Sequence, residues 1–319
     1  MWRTSSYHSR MRLAAPVLFA SVLIAVAFAA CGGGGDPATS PTPGVRTGAN
    51  ATRTVAPTLS PAPTPRPVPD TPSPGAPLYI ALGDSLSAGR GASDASSTAW
   101  VPLVHAGLSG FALLNLGVPG DDSGELLNGG PLDRALGEIE ARRNDAIAGN
   151  EVAVITLEIG GNDLLDIYFG LVVPGTCPTV TESLRKPQCV QALQDALAWY
   201  RPNLRQILTG LGQAAPDAPV FLMTLYNPFS GGAGVLDQFG VVSLEGMPDT
   251  PFPEGLNDII RAEGAAAGVH VVEWYDLFLG KVNEYISGDL IHPNDTGHRV
   301  MADAVLAAMA QAGLPATGS

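Results

Sequence analysis

Five short apolar runs that alternate with helical patterns constrain this chain more than any other feature. They occupy residues 78–82, 112–116, 152–159, 220–225 and 269–274. Each is apolar on both faces, as a strand must be when helices cover the sheet on two sides. Between them, Leu132, Leu136, Ile139, Arg143 and Ile147 recur at helical spacing, as do Val190, Leu193, Leu197, Leu204 and Leu208. Met301, Val305 and Met309 mark a last helix, and Pro202 is expected to kink or split the second. Strand and helix alternating in this way predict a three-layer α/β/α domain on a five-stranded parallel sheet. In such sheets ligands bind beyond the carboxyl ends of the strands, so chemistry is expected in the segments directly after each run.

The region before the first strand reads differently. Arg3, Arg10 and Arg12 precede an almost unbroken apolar stretch from Leu13 to Ala30, the grammar of an export signal, with a membrane-spanning helix as the competing reading. Residues 27–31 resemble the lipobox of bacterial lipoproteins, with Phe28 in place of the usual Leu, which makes Cys31 a candidate for lipidation. Residues 31–77 are rich in Pro, Thr, Ser, Ala and Gly and carry no periodicity, so they cannot bury a core. Their prolines favour extended backbone at about 3.1 Å per residue, a reach on the order of 100 Å. The expected organisation is a signal peptide at 1–30, a tether at 31–77 and a folded domain at 78–314, on a protein outside the cytoplasm.

The whole chain carries 30 acidic and 17 basic residues, and loss of the three signal arginines makes the balance still more acidic. That excludes the basic footprint of a nucleic-acid binder. With Cys31 assigned to lipid, Cys177 and Cys189 remain as an even pair in an oxidising compartment, read as a disulfide. Zinc is the weaker reading, because no nearby His pair completes a tetrahedral site.

The strand ends carry the chemistry. After the first run comes Gly83, Asp84, Ser85, Leu86; after the second, Asn115 to Asp121 with glycines at 117 and 120; after the third, Gly160, Gly161, Asn162, Asp163. Each alone is also ordinary cap or turn chemistry. Beyond the fifth run, Asp289 and His292 stand three apart, a spacing that lets a carboxylate hold one imidazole nitrogen while the other faces a hydroxyl. His105, His270 and His298 fall within predicted elements and read as structural.

Taken in order, these four segments resemble the GDSL esterase and lipase family, the SGNH hydrolases, across nearly the whole folded region. The resemblance implies a flavodoxin-like α/β fold, Ser85 as nucleophile, Asp289 and His292 as its acid and base partners, and an oxyanion hole from Ser85, Gly120 and Asn162. Gly117 competes with Gly120 for the last role, and the family spacing favours Gly120. No Gly-x-Ser-x-Gly surrounds Ser85, which argues against the α/β-hydrolase fold. The implied reaction is acyl transfer to water, with no metal or organic cofactor, on a small-molecule or lipid ester. A polysaccharide O-deacetylase is the alternative within the class, and a catalytically silent surface-binding protein the alternative outside it. Two long connections, 164–188 and 227–253, carry Tyr168, Phe169, Leu171, Val172, Val173, Phe229, Leu236, Phe239, Met247 and Phe252, an expected apolar acyl wall or, equally, loop anchors.

Overall fold

The structure is a computed structural model that describes residues 75–316 except Ala233. The signal, Cys31 and the tether up to residue 74 lie outside the described residues. Five strands, β1 (Leu78–Gly83), β2 (Ala112–Gly117), β3 (Val152–Glu158), β4 (Val220–Met223) and β5 (His270–Val272), pair entirely in parallel in the order β2-β1-β3-β4-β5. This is the flavodoxin-like order, with a switch point between β1 and β3.

Alternation along the strands sorts the core into two halves. Leu78, Ile80 and Leu82 of β1 pack on one face with the helices α2 (Ser123–Asn128), α3 (Pro131–Asn144), α6 (Pro187–Ala214) and α8 (Leu256–Ala267). Tyr79 and Ala81 pack on the other face with α1 (Trp100–Gly107) and α10 (Asp295–Gln311). The remaining helices are α4 (Gly161–Ile167), α5 (Val180–Ser183), α7 (Val235–Glu245) and α9 (Val282–Tyr285).

Pro202 does not split α6, which runs unbroken from Pro187 to Ala214. Proline costs a helix one internal donor, about 3 kcal/mol. Tyr200, Leu204, Ile207 and Leu211 are fully buried around it, and at about 1.5–3 kcal/mol each their burial outweighs that loss. The two long connections are also more ordered than expected. The first holds α4, a single π turn (Tyr168–Val172) and α5; the second holds α7.

Cys177 and Cys189 form a disulfide, with Cα atoms 6.0 Å apart. It closes the segment between the π turn and α6, and its sulfurs lie in a small core with Val172.

Candidate active site

The carboxyl edge of the sheet collects the four sequence segments. Ser85 follows β1 directly, with its hydroxyl 2.9 Å from His292 Nε2. His292 Nδ1 lies 2.6 Å from Asp289 Oδ2, so Nδ1 carries the proton, Nε2 accepts, and the serine hydroxyl donates. A longer contact of 3.4 Å joins the same hydroxyl to Asp84 Oδ1.

The turn that brings Asp289 to His292 is built by the carboxylate itself. Asp289 Oδ1 accepts from the backbone N–H of Ile291 at 3.0 Å and of His292 at 2.9 Å, and from Ser287 Oγ at 2.8 Å. Partial burial raises the carboxyl's pKa, but these donors together overcome it and hold the group down at about 2. Leu290 sits inside the turn at φ +67° with its side chain exposed. For a leucine that conformation is strained, and the turn's hydrogen bonds hold it there.

The second layer fixes the serine loop. His298 is buried at the start of α10, its Nε2 donating to Arg90 O at 2.8 Å and its Nδ1 accepting from Trp100 N at 3.3 Å. Burial lowers its pKa, consistent with a neutral ring that needs one donor and one acceptor. His105 bonds Phe111 O and His270 stacks on Phe221. All three histidines therefore hold structure, as the sequence reading had them.

The two competing glycines separate cleanly. Gly117 N–H is committed to Asn115 Oδ1 at 3.0 Å, while Asn115 Nδ2 holds Ser87 O at 2.7 Å. A Cβ on Gly117 would lie 2.6 Å from Ala88 N, so glycine is required there by close packing. Gly120, at φ +94°, faces open space. Among the described residues the backbone N–H groups of Ser85 and Gly120 meet no acceptor.

Asn162 lies in the first turn of α4, and its Nδ2 donates to Asp84 Oδ2 at 3.1 Å and to Asp121 O at 2.8 Å. Asp163 accepts from Ser123 N at 3.0 Å and Ser123 Oγ at 2.6 Å, tying α4 to α2. Burial raises its pKa to about 6 against those bonds.

Sequence reasoning missed Glu158. It ends β3 with no exposed surface and lies against Asp84, itself buried. Burial, then the neighbouring Asp84 charge, push Glu158 well above the usual carboxylate range, and burial lifts Asp84 to about 6. Glu158 Oε2 accepts weakly from Ser87 Oγ at 3.4 Å, and Oε1 receives no donor from another group. A proton on Glu158 given to Asp84 resolves both: the pair then holds one negative charge, on Asp84, where Leu86 N and Asn162 Nδ2 donate to it. The signal was a lone charged residue inside an otherwise apolar strand.

A cavity of about 80 Å³ opens beside Ser85 and His292. Leu164, Leu165, Tyr168, Leu225, Phe229 and Leu244 give it an apolar wall. Of the residues expected there, Tyr168 and Phe229 take part, stacked with ring centroids 5.7 Å apart. Phe169 and Val173 instead point to solvent. Leu165 and Leu244 were not foreseen, because they come from helices where loops were expected.

The profile of the GDSL-like Lipase/Acylhydrolase family matches residues 81–300, which includes every segment of this site. The chain belongs to that family. It is thereby a GDSL-type carboxylic ester hydrolase. Among solved structures, this hydrolase resembles the lipase Lip_vut3 from a goat rumen metagenome at 22% identity and a TM-score of 0.53, over 73% of this chain and 97% of that one. It also resembles phospholipase A1 from Streptomyces albidoflavus NA297 at 18% identity and a TM-score of 0.51, over 73% of this chain and 99% of that one. At these identities the likeness is one of fold. No curated protein matches the chain.

Proposed function

We propose that the chain cleaves carboxylic esters with Ser85 as nucleophile, His292 as general base and Asp289 as the carboxylate that orients it, outside the cytoplasm and tethered by lipid on Cys31. The observation that carries the catalytic reading is the continuous hydrogen-bonded relay from Asp289 through His292 to Ser85, opening onto an apolar cavity. The tether rests on the sequence alone.

In the first half-reaction Ser85 Oγ attacks the ester carbonyl as its proton passes to His292 Nε2, and the carbonyl oxygen becomes an oxyanion. The free N–H groups of Ser85 and Gly120 and the Asn162 amide stand as its donors. Asn162 reaches it by sharing the Nδ2 proton that it now donates to the Asp121 carbonyl, while Asp84 keeps the amide plane fixed. The imidazolium gains from Asp289, which is ionised throughout the working range. Collapse breaks the ester C–O bond, and His292 returns its proton to the leaving alkoxide. Water then repeats the sequence on the acyl-enzyme, releasing the carboxylic acid and restoring the Ser85 hydroxyl.

The apolar lining favours an alkyl acyl group over an acetylated sugar. The test is turnover of short and long acyl esters and of acetylated xylan by the wild type and by Ser85→Ala. Ester hydrolysis lost in Ser85→Ala is expected, and near wild-type turnover by that variant would overturn the proposal. Preference for acetylated xylan would move the substrate class to polysaccharide. For the tether, Cys31→Ser is expected to release the protein from membranes of a bacterial host; an unprocessed N-terminus on the mature protein would refute it.

A further inference from the structure

Behind the cavity at Ser85 lies a second apolar space, of about 30 Å³, that no step of hydrolysis uses. Leu164 and Tyr168 line both spaces, so they form the partition between them. On the far side the walls come from Val172, Phe239, Val242, Phe252 and the Cys177–Cys189 disulfide. The two chambers are walled by the same continuous stretch of chain: α4 carries Asn162 in its first turn at the reaction centre and passes directly into the π turn that begins at Tyr168. Single π turns of this kind recur at functional sites, where the extra residue re-aims a side chain.

The Tyr168 ring is held in a specific way. Its face stacks on Phe229 and its hydroxyl lies 2.8 Å from Ser243 Oγ. Ser243 spends its own proton on Phe239 O at 2.8 Å, so Tyr168 is the donor to Ser243. One aromatic ring, fixed by one hydrogen bond and one stack, thus closes the end of the reaction-side cavity. Polar groups on the second chamber's wall are few: Ser243 is committed, and Ser183 Oγ is buried without a partner.

We propose that the two chambers form one acyl-chain site divided by Tyr168, with the reaction-side chamber taking the first part of the chain and the Tyr168 ring setting the longest acyl group the enzyme accepts. The inference rests on the esterase reading of Ser85. Its occupant is the alkyl chain of the ester itself: in the acyl-enzyme that chain is fixed at Ser85 Oγ, and the apolar wall of Leu164, Tyr168 and Phe229 is where burial rewards it. Each methylene buried there contributes about fourfold in kcat/KM (about 0.8 kcal/mol per CH2) until the chain meets the ring.

The test is kcat/KM for p-nitrophenyl esters from acetyl to palmitoyl, measured on the wild type, Tyr168→Phe, Tyr168→Leu and Tyr168→Ala. The readout is the ratio of lauroyl to butyryl ester, which is insensitive to a uniform loss of activity. Tyr168→Phe keeps the ring and is expected to keep the wild-type length limit. Tyr168→Ala is expected to raise the ratio at least about tenfold and to move the limit up by about two to four carbons as the partition opens. Tyr168→Leu, which keeps the core filled, is expected to move it part of the way. Adding Val172→Phe to Tyr168→Ala refills the far chamber and is expected to bring the limit back. Ratios within about twofold of wild type in both Tyr168→Leu and Tyr168→Ala, with wild-type circular dichroism, would overturn the partition while leaving the esterase reading intact. A wild type with no Ser85-dependent turnover of any ester would instead remove the esterase reading and this inference with it.

Discussion

Replacing Glu158 by Gln or Ala tests the buried carboxyl pair beneath the proposed oxyanion donor. Glu158 has no exposed surface and Asp84 has 2%, so solvent does little to screen their mutual repulsion. Both native pKa values are raised by burial, Asp84 to about 6 and Glu158 well above the usual carboxylate range. A raised carboxyl gives stability that is full below its unfolded value and is lost as pH rises toward the folded value, because the native state keeps a proton the unfolded chain has released. Asp84 acts from about pH 4 to about 6. Glu158, held well above the usual carboxylate range by burial and by the Asp84 charge, adds a dependence of the same sign, a cost to the wild type that grows as pH rises. Glu158→Gln keeps a neutral donor facing Asp84 and cannot titrate. Its urea-unfolding free energy should therefore fall less steeply with rising pH than that of the wild type, with kcat nearly kept. Glu158→Ala leaves the Asp84 carboxylate buried without its donor and opens a void, an expected loss of about 3–5 kcal/mol at pH 7. Because Asp84 Oδ2 also holds Asn162, kcat on a short ester should fall about tenfold in the alanine variant. Parallel curves of stability against pH for wild type and Glu158→Gln would show that Glu158 gains no proton on folding, and the single-charge account of the pair would be wrong.

Asn162→Ala should lower kcat by about 10²–10³-fold, as removal of an oxyanion donor does, with KM changed far less; an unchanged kcat would assign the amide to structure alone. Asp289→Asn should lower kcat by about 10⁴-fold through loss of the imidazole's orientation, and a stopped-flow rate near wild type would exclude it as the His292 partner. Reduction of the Cys177–Cys189 disulfide, which spans 12 residues, should cost about 3 kcal/mol on loop-closure grounds, read as a lower urea midpoint with reductant present. Leu290→Asn should gain about 0.5–1 kcal/mol, since asparagine tolerates the left-handed backbone and Leu290 is 69% exposed with little packing to lose. A thermal melt shifted downward would show that Leu290 packs in solution.

How much of this was legible in the sequence depended on whether a residue's role is set by its neighbours in the chain or by partners far along it. The strand starts were legible because burial on two faces imposes unbroken apolar runs. The ends of β4 and β5 were not, because side chains take over the ladder there: Asn257 Oδ1 receives Leu225 N at 2.7 Å, and Thr224 Oγ1 receives Trp274 N at 2.8 Å. Ser85, Asn162, Asp289 and His292 could be named as candidates because each sits at a strand end or in a short local turn with fixed spacing. Gly120 was preferred to Gly117 on the family spacing alone, and the structure adds that Asn115 Oδ1 takes the Gly117 N–H while Gly120 faces open space. Tyr168 could be named as a wall residue from its position after β3, but a π turn leaves no periodicity of its own to read.

Glu158 shows why the hidden part is also the energetically expensive part. A charged residue at the end of a buried strand destabilises the fold unless something takes its proton or its charge. Its partner here is Asp84, 74 residues earlier in the chain, and the two meet only because β1 and β3 are neighbours, with Gly83 in register with Glu158. Strand order is thus what converts two unfavourable burials into one shared charge. That charge is placed under the loop that carries Ser85 and against the amide of Asn162, where it fixes the side chain's direction without facing substrate. A chain that replaced Glu158 with an apolar residue would fill the same strand but leave the Asp84 carboxylate without its buried donor. On that argument Glu158 orients the amide of the proposed oxyanion donor, at a cost to stability that grows with pH.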